Sequence, residues 1–215
     1  AGLWDRFWFT PSSPAALGWL RILAGLMLVY THAVWSLRLE EFFGPRGFQD
    51  PELVSAYLAD STAWTFWFYV PEDWLWPVHW TCLGILGLFT IGFWTRLTSI
   101  LSAIITISYL NRAPLANYGL DQINTLLVVY LAIGPSGATL SFDRWWTRFR
   151  AARTALRTGR QPVAPLVPAT VTANVSLRLI EVHMAVLYFW AGLSKLKGYT
   201  WWDGTAIWLG AANYE

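Results

Sequence analysis

Apolar residues gather into five runs along this chain, separated by charged or turn-forming stretches. The first runs from about Ala16 to Ser36 (ALGWLRILAGLMLVYTHAVWS) and the second from about Trp74 to Trp94 (WLWPVHWTCLGILGLFTIGFW). The third, about Leu97 to Leu110, is short and follows Arg96 almost at once. The fourth covers about Gln122 to Thr139 and carries Gly134-Pro135 as a kink or terminus. The fifth runs from about Ser176 to Ser194. The runs are too long for barrel strands, and most approach the ~20 residues a helix needs to cross a bilayer. The pattern predicts an all-α, polytopic membrane bundle of about five transmembrane helices plus interfacial helices, in one domain over 1–215.

The connecting stretches orient the bundle. Between runs four and five, FDRWWTRFRAARTALRTGRQP sets Arg144, Arg148, Arg150, Arg153, Arg157 and Arg160 against Asp143 alone. Between runs one and two, Arg38 and Arg46 face Glu40, Glu41, Asp50, Glu52, Asp60, Glu72 and Asp73. Cytoplasmic loops carry the excess of Lys and Arg, so the N-terminus and the 142–162 loop are expected in the cytoplasm. Arg96 then falls in an inner turn, and the loops NRAPLANYGLD and SKLKGYTWWDG both emerge outside. The acidic stretch from Leu37 to Asp73 reads either as a lid over that outer face or as an aromatic belt lying on lipid. The partners expected for the Arg144–Arg160 loop are anionic lipid headgroups rather than nucleic acid. Other membrane subunits are the further partners considered.

Composition agrees with the pattern. Charged residues make up 13% of the chain, against about 25% in a soluble domain. Sixteen tryptophans suit a protein whose surface meets both interfaces, where a half-wet indole is stable. The lone Cys82 excludes an intrachain disulfide. AGLWDRFWFTPSSP is too polar for a signal peptide, so the first run is expected to stay as an uncleaved anchor.

Few residues carry chemistry. Of fifteen Lys and Arg, only Lys195 and Lys197 are lysine, and both follow the last apolar run. An amine partly withdrawn from water can serve as a base; the other reading is a pair of lysines anchoring a span at the headgroups. Arg21 is read as snorkelling from the inner end of the first run, and His32 and His79 as bonded to neighbouring helices. In LRLIEVHMAV, Arg178 and Glu181 stand three apart and can pair on one helix face. Glu181 and His183 read either as cavity residues or as polar groups of helix packing. The three histidines lack metal-ligand spacing, so no metal is expected. The small residues in AGLMLVY and TIGFWTR suit close helix contact.

LGILGLFTIGFWTRLTSIL, YLNRAPLANYGLDQI and LYFWAGLSKLKGYTWWDGTAIWLG, in this order, resemble the HTTM domain, the membrane domain shared with vitamin K-dependent gamma-glutamyl carboxylases. The resemblance covers about Leu17 to Tyr214 and is strongest at Tyr188-Phe189, Ala191-Gly192, Lys195-Leu196, Trp202 and Gly204. It implies that Lys195 stands where the carboxylases keep the base that acts on reduced vitamin K. The carboxylase-type Asn-His pair, however, reads Asn111-Arg112, and arginine cannot shuttle a proton as histidine does. With Pro114, Gly119 and Asp121, this stretch is similar to bacterial HTTM proteins, which implies a bacterial inner membrane. The chain also stops soon after the lysine loop, so it is either part of a longer protein or lacks the large lumenal domain of the carboxylases.

Two function classes follow. One is an accessory or structural membrane subunit, or an HTTM protein of unassigned activity. The other is a carboxylase-like enzyme, with Lys195 as base, Asn111 and Arg112 holding an anion, and a reduced quinone or lipid as substrate. On either reading Lys195, Asn111, Arg112 and Asp121 are expected to meet in one outer pocket, with Arg112 and Asp121 as an ion pair and Lys197 pointing away. His32, Glu181 and His183 are the candidates for cofactor binding.

Overall fold

The computed structural model describes residues 2–59, 61–159, 161 and 166–211. Asp60 and Arg160 of the charged loops, and Tyr214 at the end of the resemblance, lie outside the described residues. The chain falls into two compact units, residues 1–177 and 178–215.

Helix α1 (Leu3–Phe9) precedes α2 (Ala15–Trp35), which realises the first apolar run. A short 3-10 turn (Ser36–Arg38) leads into α3 (Leu39–Phe43) and then α4 (Pro51–Leu58). Two further 3-10 turns, Phe66–Tyr69 and Glu72–Trp74, precede α5 (Leu75–Ile91). Helices α6 (Thr95–Arg112) and α7 (Gly119–Ile133) complete a ring in which α2 packs on α5 and α7, and α6 on α5 and α7. Helix α8 (Phe142–Arg157) follows, and α9 (Val171–Lys197) begins in the first unit and crosses into the second. The second unit continues with α10 (Tyr199–Trp202) and α11 (Thr205–Ala211).

All regular elements among the described residues are helical, and the one extended pairing is a bridge between Ser12 and Thr170. Three stretches are long and apolar enough to cross a membrane: Ala15–Phe43, Glu72–Ile91 and Val171–Lys197. Helix α7 is apolar but short at 15 residues, because the chain turns at Gly134-Pro135 instead of running on to Thr139. Helix α6 has the length, at 18 residues, but interrupts its apolar positions with serine and threonine.

The faces of α6 are inverted relative to a water-soluble helix. Ser99, Ser102, Thr106 and Ser108 are buried, while Leu97, Ile100 and Ile104 are exposed. Buried hydroxyls need not be costly in a helix: Thr106 Oγ1 donates to Ser102 O, four residues back. Small groups also allow close approach between helices. A Cβ at Gly25 of α2 would stand 2.4 Å from Thr90 Oγ1 of α5, which is the close contact expected for AGLMLVY. The acidic stretch folds down as a lid rather than extending along a surface: Thr65 Oγ1 donates to Ser108 O at 2.9 Å, and Phe43 and Trp67 are buried. Helix α8 buries no side chain; Phe142, Trp145, Trp146, Phe149 and Leu156 form an exposed stripe at helical spacing.

Candidate functional site

The C-terminal ends of α2 and α6 meet the N-terminal ends of α5 and α7 at one end of the bundle, around Tyr109. The Tyr109 hydroxyl lies 2.7 Å from His79 Nδ1, and His79 Nε2 lies 2.8 Å from Ser36 Oγ. The phenol ring meets the His32 ring edge-on at 4.3 Å and packs against Phe43 and Trp67. Both nitrogens of His79 are thus engaged by neighbouring helices, as expected. His32 differs, since its Nδ1 reaches Leu28 O of its own helix at 2.8 Å.

Arg112 closes the same end. It is 1% exposed. Its Nη1 donates to Gln49 O at 2.9 Å, and its Nη2 to Phe43 O and Gly44 O at 3.3 Å each. Arg112 therefore ties the lid to α6, and it lines a cleft of about 860 Å³ together with Phe43, Trp67, Leu75, Glu52 and Glu72. Asn111 donates from Nδ2 to Trp64 O at 2.8 Å, a further tie to the lid beside the Thr65–Ser108 bond. The expected Arg112–Asp121 ion pair is not formed: Asp121 instead accepts from Tyr118 N at 2.9 Å and caps α7. The physical reason is placement. Arg112 faces three lid carbonyls, of which, among the described residues, Gly44 O alone has a further donor in Gly47 N, while Asp121 lies at a helix start whose amides attract a carboxylate. Asp121 does share a small cavity with His32.

At the opposite end, Arg21 corrects another expectation. It does not snorkel: it is 0% exposed and donates to Ser136 O at 2.7 Å and to Leu140 O, satisfying carbonyls of the turn after α7. Asp143 accepts from Trp94 N, Thr95 N and Thr95 Oγ1 and so caps α6. Gly92 ends α5 at φ +74°, and its carbonyl accepts from Asp143 N at 3.1 Å. Arg96 covers the end of α7 through Ala132 O at 2.6 Å.

In the second unit, the i,i+3 reading holds: Arg178 Nη1 and Glu181 Oε2 pair at 2.5 Å. Glu181 is exposed and His183 half-buried on the same helix. Lys195 Nζ sits 4.7 Å from the centre of the Trp201 ring, a cation–π contact. Both lysines are exposed. The rest of the motif shapes the turn. Trp202 Nε1 donates to Leu196 O at 2.7 Å, Gly204 takes φ +79°, and Asp203 caps α11 by accepting from Thr205 N and Oγ1. Those hydrogen bonds hold the Asp203 carboxyl below the usual carboxylate range.

No known family profile matches the chain, and no solved structure matches it. It is similar to the uncharacterized protein YitO of Bacillus subtilis (strain 168), 28% identical over 132 residues. That match covers 60% of this chain and 37% of YitO, so the chain spans little more than a third of that relative's length.

Sequence reasoning missed Tyr109, the hub of the polar centre. The signal was present as a stripe: Ser99, Ser102, Thr106 and Tyr109 recur every three or four residues and mark one face of α6.

Proposed function

We propose that this chain is an HTTM-type membrane domain that crosses the bilayer five times and serves as an accessory subunit through helix packing. The carrying observation is the inverted α6, polar toward its neighbours and apolar toward the outside. That is the arrangement a bilayer favours and water opposes. Helices α6 and α7 pack antiparallel beside α2 and α5, so all four share one depth. At about 1.5 Å per residue, the 18 residues of α6 reach most of the way across a hydrocarbon core of about 30 Å. Exposed tryptophans fall near both ends of the bundle: Trp74, Trp76 and Trp80 at one, Trp19, Trp94 and Trp145 at the other. The Arg112 end faces outward and the arginine-rich α8 lies at the cytoplasmic surface against anionic headgroups. Single-cysteine variants on a Cys82→Ala background test this orientation. A membrane-impermeant maleimide added from outside modifies Asp50→Cys and spares Arg157→Cys; the reverse pattern sinks it.

The accessory role draws on the use of the candidate catalytic residues: Asn111, Arg112 and Asp121 are each engaged by backbone of their own chain. The alternative is a carboxylase-like enzyme with Lys195 as base; the contact of Nζ with the Trp201 ring favours the charged ammonium and so counts against it. The discriminating assay supplies the protein, in nanodiscs, with a reduced naphthoquinone and dioxygen and follows epoxide by chromatography. Epoxide at the level of the Lys195→Ala variant is the expected result. Formation that depends on Lys195 overturns the accessory role.

A further inference from the structure

Between α2, α6 and α7, beside the Tyr109 centre, lies a cavity of about 20 Å³ whose polar lining includes Thr31, His32, Asn117, Asp121 and Thr125. One water needs about 10–15 Å³ measured in this way, and two or more polar partners. The lining sets the kind of ligand. A carbonyl oxygen only accepts, so the 2.8 Å contact to Leu28 O places the His32 proton on Nδ1 and leaves Nε2 a bare acceptor. Nε2 is fully buried with no hydrogen-bond partner among the described residues, and His32 as a whole is 4% exposed. A buried acceptor left unsatisfied in this way is costly, so the site favours a donor.

The threonine hydroxyls around it already donate elsewhere, and one hydrogen of the Asn117 amide is taken. Thr31 Oγ1 donates to Leu28 O, Thr125 Oγ1 to Asp121 O, and Asn117 Nδ2 to Leu110 O. The Tyr109 hydroxyl is taken up by His79. Asp121 accepts from Tyr118 N through Oδ2, which leaves Oδ1 a further acceptor. His32 Nε2 and Asp121 Oδ1 are thus two acceptors facing one small cavity, and a ligand with two hydrogens to donate serves both. Hard cations prefer cages built wholly of oxygen, which an imidazole nitrogen does not complete.

We propose that this cavity binds a single water molecule that donates one hydrogen to His32 Nε2 and the other to the Asp121 carboxylate. Asp121 is half-exposed, so this water joins the buried imidazole to the surface in one step. His79, by contrast, has both nitrogens engaged within the chain. The site stands apart from the accessory-subunit reading and from Lys195, since it uses only residues of the first unit.

Nitrogen-15 NMR of protein labelled at its histidine rings, in nanodiscs, tests the proposal, with His183→Gln removing the signal from the second unit. For His32 the expected result is a protonated Nδ1, an Nε2 at the shift of a hydrogen-bonded acceptor, and magnetisation transfer between Nε2 and water. In Asp121→Ala that transfer disappears while the His79 signals stay. A proton on Nε2, a free-acceptor shift without water transfer, or transfer that survives Asp121→Ala overturns the proposal. Should Asp121→Ala fail to fold, the wild-type tautomer and water transfer decide alone.

Discussion

Arg112→Ala is expected to destabilise the protein by about 3–5 kcal/mol, far more than loss of a surface cation. The side chain leaves behind two lid acceptors without a donor, Gln49 O and Phe43 O, and a third, Gly44 O, with only Gly47 N. Each buried carbonyl without a donor costs about 1–3 kcal/mol. The 43–49 part of the lid then loosens first, because Arg112 is the buried tie of that part to α6. Thermal unfolding in detergent measures the loss, and limited proteolysis locates it in 44–59. Asp121→Ala removes a helix cap, at about 0.5–2 kcal/mol, and one contact of the cavity water. An ion pair between Arg112 and Asp121 would make the two substitutions similar in cost. Equal losses, or a lid that stays protease-resistant in Arg112→Ala, refute the tie. Arg112→Lys keeps the charge but not the planar fork, so it recovers only part of the stability.

Gly92→Ala is expected to cost about 2–5 kcal/mol, from two sources. The residue holds φ +74°, and a left-handed backbone costs an ordinary residue about 1–2 kcal/mol. A Cβ there would also stand 2.5 Å from Ser141 Cβ and 2.8 Å from Arg21 Cζ. Arg21 cannot yield freely, since its guanidinium holds Ser136 O and Leu140 O. Gly84 on the same helix is the control: a Cβ there meets nothing within 4 Å. Gly84→Ala therefore leaves stability level or raises it by about 0.5–1 kcal/mol. If both variants melt alike, the junction of Arg21, Gly92 and Asp143 does not set the end of α5.

The class of the protein was legible in the order of its residues. Apolar runs at bilayer length and an excess of tryptophan follow from composition and spacing alone, and the helices α2, α5 and α9 lie where those runs predicted them. The Arg178–Glu181 pair was legible for the same reason, because an i,i+3 contact is fixed by helix geometry within one segment. The end of α7 was legible only as an alternative: Gly134-Pro135 permits a kink or a stop, and the turn that feeds Ser136 O and Leu140 O to Arg21 makes it a stop.

What the sequence left open were the partners of its buried charges. Arg112 and Asp121 stand close in the chain and carry opposite charge, which suggested a pair; the lid brought Gln49, Phe43 and Gly44 to Arg112 from more than sixty residues away. Arg21 sat where a snorkelling arginine would sit, and the turn after α7 enclosed it instead. The same holds for Tyr109, whose partners His79, His32 and Trp67 come from three separate segments. Local spacing determines what a helix presents along its own length. Which carbonyl a buried guanidinium satisfies depends on how distant segments pack, because every buried donor and acceptor takes the partner that packing brings within reach.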